Sequence, residues 1–360
     1  MKGALILGGG PAGTAAAIGL AVADVPHLLI ERTRETGDAL CGGFLSWRTL
    51  ETLGALGVEA DALNPTSVTR VRLFAGRRVF AAPLPRPAKG VSRHRLDTLM
   101  LARAEALGAR VERGVGARAI EGGAVRLSDG ALLTPEALFL ASGKHDVRGA
   151  ARPASARGHD PALGLRVRLP ATPALARLVG DAVELHLLDR GYAGVVLQED
   201  GSANLCLAVA RSRMVEAGGP AALLRALGDE LPALGERLAH GHGAIDAVAN
   251  VPYGWRAREG VAGVFRLGDQ AGVIPSLAGE GMGIAVASGA RAAAAYAAGE
   301  SAVGYQRRLS RDLSRPLAVA GAVRDLAERP TLAPAALALA RFAPGLIQLV
   351  ARATRVPRTA

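Results

Sequence analysis

The chain opens on an apolar run, Ala4-Leu5-Ile6-Leu7, a glycine-rich turn, Gly8-Gly9-Gly10-Pro11-Ala12-Gly13, a stretch of small residues, and a second apolar run ending at Glu31. That order predicts a strand, a turn, a helix and a parallel strand. Cys41-Gly42-Gly43-Phe44-Leu45-Ser46 then leads into a helix through about residue 56, with Ser46 as its N-cap. Apolar runs at 68–74 and 79–81 predict a hairpin around Ala75-Gly76, and Pro83-Leu84-Pro85-Arg86-Pro87 reads as a return segment. A helical period (Leu96, Leu99, Met100, Ala104, Leu107) precedes a strand at Arg110-Val111-Glu112. Residues 115–133 read as a second hairpin, with Asp129-Gly130 as a type I′ turn. A buried strand over 137–141 stops on Ser142-Gly143 and is expected to rejoin the first sheet.

The middle of the chain predicts a sheet backed by helices. Strands are expected at 164–169, 182–188, 192–198 and 204–210, helices at about 220–239, and a further strand at about 244–251. An apolar strand ending in Gly268-Asp269 follows, then Pro275-Ser276-Leu277-Ala278-Gly279-Glu280-Gly281-Met282-Gly283 and a small-residue helix. Beyond about residue 300 the pattern predicts short helices broken at Pro316, Pro330, Pro334 and Pro344.

The two glycine turns carry the chemistry. Gly8 permits the tight turn, Gly10 lets backbone N–H groups approach a pyrophosphate, and Gly13 brings the helix close to the sheet. The pyrophosphate would sit on the positive end of the helix. Glu31 lies where it can accept both hydroxyls of an adenosine ribose and repel a 2′-phosphate. At the other turn, Asp269 can accept a ribityl hydroxyl, and the Gly279-x-Gly281 turn aims N–H groups at the anionic edge of a reduced flavin. NAD has no ribityl chain, so the expected cofactor is non-covalent FAD.

Composition narrows the classes. At 360 residues, half of them hydrophobic, the chain can bury a sizeable core. The net charge of +11 comes from scattered arginines, with Lys2, Lys89 and Lys144 the only lysines, which argues against nucleic acid as a partner. No membrane span or signal segment is evident, so a cytoplasmic location is expected. Cys41 and Cys206 offer neither a disulfide framework nor a metal cluster, and no metal is expected.

Together, the Gly8-to-Glu31 pattern, Arg93-x-x-Leu96-Asp97 and Gly268-Asp269…Pro275…Gly279-x-Gly281 resemble the flavoprotein superfamily of p-hydroxybenzoate hydroxylase and the geranylgeranyl reductases, over roughly residues 1–300. The resemblance implies an α/β fold: a Rossmann-like FAD-binding domain (1–67, 88–150 and 255–300), an interleaved mixed β-sheet substrate domain (68–87 and 151–254), and C-terminal helices (301–360). It also implies that Arg93 contacts the flavin or its phosphates, Asp269 the ribityl chain and Glu31 the ribose. Cys41-Gly42-Gly43 is similar to the loop beside the flavin in geranylgeranyl reductases. Of the reductases' Tyr-x-Trp-x-Phe-Pro stretch, the segment from Tyr192 keeps only the tyrosine. Ser142-Gly143 lacks the acid of the hydroxylases' Asp-Gly pair, and the halogenases' tryptophan-rich signature is missing.

The cofactor set expected from these readings is Gly8, Gly10, Pro11, Ala12, Gly13, Glu31, Arg32, Cys41, Gly42, Arg93, Gly143, Gly268, Asp269, Gly279, Gly281 and Met282. His186 and Tyr192 are the substrate candidates. No acid or base is assigned, and Cys41, Pro275 and Glu280 are the candidates nearest the flavin. The favoured activity is hydroxylation of an aromatic or polyketide-type molecule through a flavin C4a-hydroperoxide, with NAD(P)H as donor. Reduction of a carbon–carbon double bond is the alternative, and a non-enzymatic electron carrier is a third class. The apolar segment 346–355, ending in arginines, is expected to close the substrate cavity, with peripheral membrane contact as its other possible role.

Overall fold

A computed structural model describes residues 2–329, 331–343 and 345–357. Strand Ala4–Leu7 lies at the centre of a five-stranded, wholly parallel sheet. Its order is Val264–Arg266, Ala137–Leu140, Ala4–Leu7, His27–Glu31, Arg110–Arg113. Each face has its own cover, because side chains alternate along a strand. Ile6 and Phe139 pack with the helices, whereas Leu5, Leu7, Leu138 and Leu140 meet Ile120, Val125 and Leu127 of a small three-stranded sheet.

Helices Pro11–Val22 and Gly281–Ala297 are built from small residues because they cross in close contact. A Cβ at Gly289 would stand 2.1 Å from the Ala12 carbonyl oxygen. This contact brings the two glycine turns, far apart in sequence, to the same end of the sheet.

A second, mixed sheet has eight strands: Asp246–Val251, Ala162–Leu169, Ala203–Ala210, Gly191–Leu197, Ala182–Leu188, Val68–Ala75, Arg78–Gly90 and Phe44–Leu45. Its far face packs Leu165, Ala193, Val195 and Leu205 against helices that include Pro220–Glu230 and Pro232–Leu238. Its near face looks toward the parallel sheet. The architecture is thus a Rossmann-like α/β unit interleaved with a mixed sheet and followed by helices.

Three local expectations are corrected. The proline-rich segment lies within strand Arg78–Gly90, where an irregularity between the Val68 and Arg70 pairings absorbs residues that cannot donate to the ladder. Residues 115–133 form two turns rather than one. The two-residue turn with positive φ at both positions is Gly122-Gly123, whereas at Asp129-Gly130 only the glycine has positive φ. Pro316 lies inside one helix, Ala302–Ala327. The apolar stripe Tyr305, Leu309, Leu313, Leu317 and Ala320 joins the main core and outweighs the lost backbone hydrogen bond. Pro334 is in the first turn of helix Ala333–Phe342, and Pro330 and Pro344 lie outside the described residues. Helix Gly345–Ala353 follows. Among the described residues, no helix is long and apolar enough to cross a membrane.

Candidate functional site

Strand Ala4–Leu7 delivers the chain to Gly8, whose φ of 109° and whose Cβ position, 2.6 Å from the Ala141 carbonyl oxygen, only glycine tolerates. Gly10 is the N-cap of helix Pro11–Val22 and has no side-chain cap, so the first N–H groups of the helix stay available. A Cβ there would meet only Arg93 Nη2, at 3.3 Å. Arg93 is held in a bidentate pair with Asp97, at 2.9 and 2.7 Å. Burial pulls its pKa down, but the Asp97 carboxylate more than offsets this, and the guanidinium keeps its charge. The Glu31 carboxylate turns toward the glycines, accepting from Gly9 N at 2.7 Å and from Thr33 N and Oγ1 at 2.9 Å. Arg32 donates to His145 Nε2 at 2.8 Å, and burial together with the Arg32 and Lys144 charges lowers the pKa of that imidazole.

At the second turn, Gly268–Gln270 forms a single helical turn anchored by Gly268 N donating to Ser288 Oγ at 2.8 Å. Gln270 donates to the Gly143 carbonyl at 2.9 Å, and Arg152 to the Asp269 carbonyl at 3.1 Å. The Asp269 side chain lines the cavity. Gly279 is left-handed (φ 63°) and packs over the Phe44 ring, and helix Gly281–Ala297 begins two residues on with no side-chain cap. Two uncapped helix N-termini therefore border one channel. Between them lie the open space beside Gly10, the Arg93 guanidinium and the Asp269 carboxylate, a donor and acceptor set that fits a flavin dinucleotide.

The loop carrying Cys41 is held from both sides. Arg166 Nη1 donates to Asp38 Oδ2 at 3.0 Å and to the Ala39 carbonyl at 3.1 Å, and Arg168 also pairs with Asp38. Lys144 donates to the Leu40 carbonyl at 3.0 Å and Asn204 to the Cys41 carbonyl at 2.9 Å. Burial pushes the Asp38 carboxyl up, but the hydrogen bond and charge of Arg168, with the charge of Arg166, bring it below its ordinary value. Cys41, Gly42 and Gly43 are thereby fixed along the cavity wall.

One cavity of about 460 Å³ runs from Gly10, Pro11 and Ala12, past Gly143, Gly268, Gly281 and Met282, to the mixed sheet. Tyr192 reaches it, but His186 does not. Leu185 and Leu187 face the cavity, so strand alternation turns Glu184 and His186 to the opposite side. There His186 stacks on Phe74, with ring centroids 4.3 Å apart, and meets Glu184 Oε2 at 3.3 Å. Arg237 forms a bidentate pair with Glu184 at 2.9 Å. Glu280 is likewise outside the cavity lining. Its buried carboxylate accepts from Ser46 Oγ at 2.9 Å and pairs with Arg355. Pro275 is buried within its turn, while Ser276 beside it lines the cavity. Cys206, in an apolar strand and readable as core, also lines the cavity; burial pushes its thiol up to about 12.

The roof comes from the tail, through Val323, Leu346, Ile347, Val350 and Ala351. Sequence reasoning missed Lys144, Arg152, Asn204, Tyr253 and Ser276, each of which acts through a partner distant in sequence.

Residues 2–145 match a family model described as an FAD binding domain. That stretch, 144 of the 360 residues, is similar to FAD binding domains. No curated protein matches the chain. Among solved structures, PqsL of Pseudomonas aeruginosa in complex with 2-aminobenzoylacetate is 18% identical, with a TM-score of 0.70, covering 92% of this chain and 98% of its own. The halogenase PltM is 14% identical, with a TM-score of 0.74 and coverages of 92% and 78%. A geranylgeranyl bacteriochlorophyll reductase-like protein from Thermoplasma acidophilum is 18% identical, with a TM-score of 0.72 and coverages of 99% and 94%. At these identities the likeness is one of fold.

Proposed function

We propose that this flavoprotein is a monooxygenase that hydroxylates an apolar small molecule of aromatic or polyketide type, drawing electrons from NAD(P)H in the cytoplasm. The observation that carries this reading is the continuity of the cavity, from the phosphate-binding turn to a largely aliphatic chamber under the tail helices. When bound, FAD supplies the redox and oxygen chemistry, and the chain supplies position and exclusion of water. Gly8, Gly10 and Gly13 with the helix N-terminus would hold the pyrophosphate, Glu31 the ribose, Arg93 the phosphates or flavin edge, Asp269 the ribityl chain, and the turn at Gly279 to Met282 the flavin. PqsL, described in another of its structures as a probable FAD-dependent monooxygenase, supports the choice of reaction.

Double-bond reduction needs a proton as well as a hydride. Burial holds Tyr192, Tyr253 and Cys206 above their ordinary pKa values, which makes them weak acids. The reductase reading therefore runs through Cys41, which lines the same cavity. The deciding experiment reduces the FAD-loaded protein anaerobically and then adds ¹⁸O₂ with candidate phenols, aryl ketones and alkenes. Product carrying one ¹⁸O atom is expected. Saturation of an alkene without oxygen would contradict the monooxygenase reading and support the reductase.

A further inference from the structure

The substrate end of the cavity is walled largely by aliphatic side chains, among them Val71, Leu73, Leu185, Leu187 and Val248. Three hydroxyls interrupt it. Tyr192 Oη donates to Ser276 Oγ at 2.5 Å, and Tyr253 Oη lies 2.5 Å from the same oxygen. They come from three places: strand Gly191–Leu197, the segment just after strand Asp246–Val251, and the turn Ser276–Ala278 that leads into Gly279. The guanidinium of Arg324, 5.4 Å from the centroid of the Tyr253 ring, holds that ring from the tail side.

The cluster has three hydroxyl hydrogens and two links. With Tyr192 donating to Ser276, one hydrogen remains whichever way the second link runs: on Ser276 if Tyr253 donates to it, or on Tyr253 if Ser276 donates. Among the described residues, neither hydroxyl has another side-chain or backbone partner. Burial keeps both phenols protonated, so the group acts as a donor and not as a base.

We propose that Tyr192, Ser276 and Tyr253 together anchor a single acceptor oxygen, a ketone, quinone or amide carbonyl, on an otherwise apolar substrate; this rests on the reading of the cavity as a small-molecule chamber. Because Ser276 precedes Gly279 by three residues, the anchor and the flavin-side turn belong to one piece of backbone. A substrate without the oxygen leaves the spare hydrogen unpaired.

The test uses 2-acetylnaphthalene and its hydrocarbon isostere 2-isopropenylnaphthalene, titrated calorimetrically into the FAD-loaded protein. In the triple variant Tyr192→Phe/Ser276→Ala/Tyr253→Phe, the ketone should bind about tenfold more weakly than in the parent, while the hydrocarbon binds equally well or better. The single variant Tyr192→Phe still has two hydrogens and one link, so it should keep ketone affinity within about threefold. Equal shifts for both probes, or a full loss of ketone affinity in Tyr192→Phe, would overturn the anchor alone. Failure of both probes to bind the parent protein would overturn the small-molecule reading and the anchor with it.

Discussion

Arg355, in the last described segment of the tail, forms a buried ion pair with Glu280, the residue that precedes helix Gly281–Ala297. The same guanidinium donates to the Ala278 carbonyl at 3.0 Å and to the Gly279 carbonyl at 3.3 Å, and it lies over the Trp47 ring at 5.0 Å. The roof of the cavity and the turn at its flavin end are thus fastened at a single point.

Arg355→Met should therefore be costly. It leaves the fully buried Glu280 carboxylate with Ser46 but without a counter-charge, at a cost of about 3–5 kcal/mol. The double variant Glu280→Gln/Arg355→Met removes both charges and should recover most of that loss. Thermal unfolding of the two variants checks this. Equal destabilisation in both would mean that the pair itself contributes little.

Asp269→Ala removes an acceptor from the cavity wall without disturbing the turn, which is held by the Gly268 N–H and by the backbone carbonyl of residue 269. FAD binding should weaken by about 1–3 kcal/mol, roughly five- to 150-fold in Kd. Fluorescence titration of the apoprotein with FAD measures it. An unchanged Kd would place the ribityl chain elsewhere.

Acid should act through His186. Burial lowers its pKa in the fold below the ordinary 6.5, although Glu184 pulls the other way. As pH falls through about 6.5 the unfolded chain takes up this proton and the folded chain does not, so stability is complete above that pH and declines below it. His145, also lowered, adds a slope of the same sign. His186→Phe, which keeps a ring against Phe74, should flatten the fall in Tm between pH 7 and pH 5, with His145 still contributing a slope of the same sign. A variant as acid-sensitive as the parent would contradict this assignment.

What could be read from the sequence follows how local each signal is. Gly8, Gly10, Gly13 and Glu31 lie within one strand–turn–helix–strand unit, so their spacing already specifies their placement. His186 shows the limit of periodicity: alternation says which residues share a face, but not which face meets the cavity. Pro316 marks a helix break by local chemistry, yet the apolar stripe around it belongs to a core assembled from the whole chain. The bonds from Glu280 to Arg355 and from Tyr192 to Ser276 join residues 75 and 84 positions apart. Nothing in either local segment announces its partner.

The most direct measurement of the central claim is the FAD content of the purified wild-type protein and of Gly10→Val. A valine at position 10 points into open channel beside Arg93, so the chain should fold normally with the pyrophosphate's place filled. The account predicts one FAD per wild-type chain, released on denaturation, and a variant with native circular dichroism and little or no flavin. Full flavin occupancy in a folded Gly10→Val protein would contradict it.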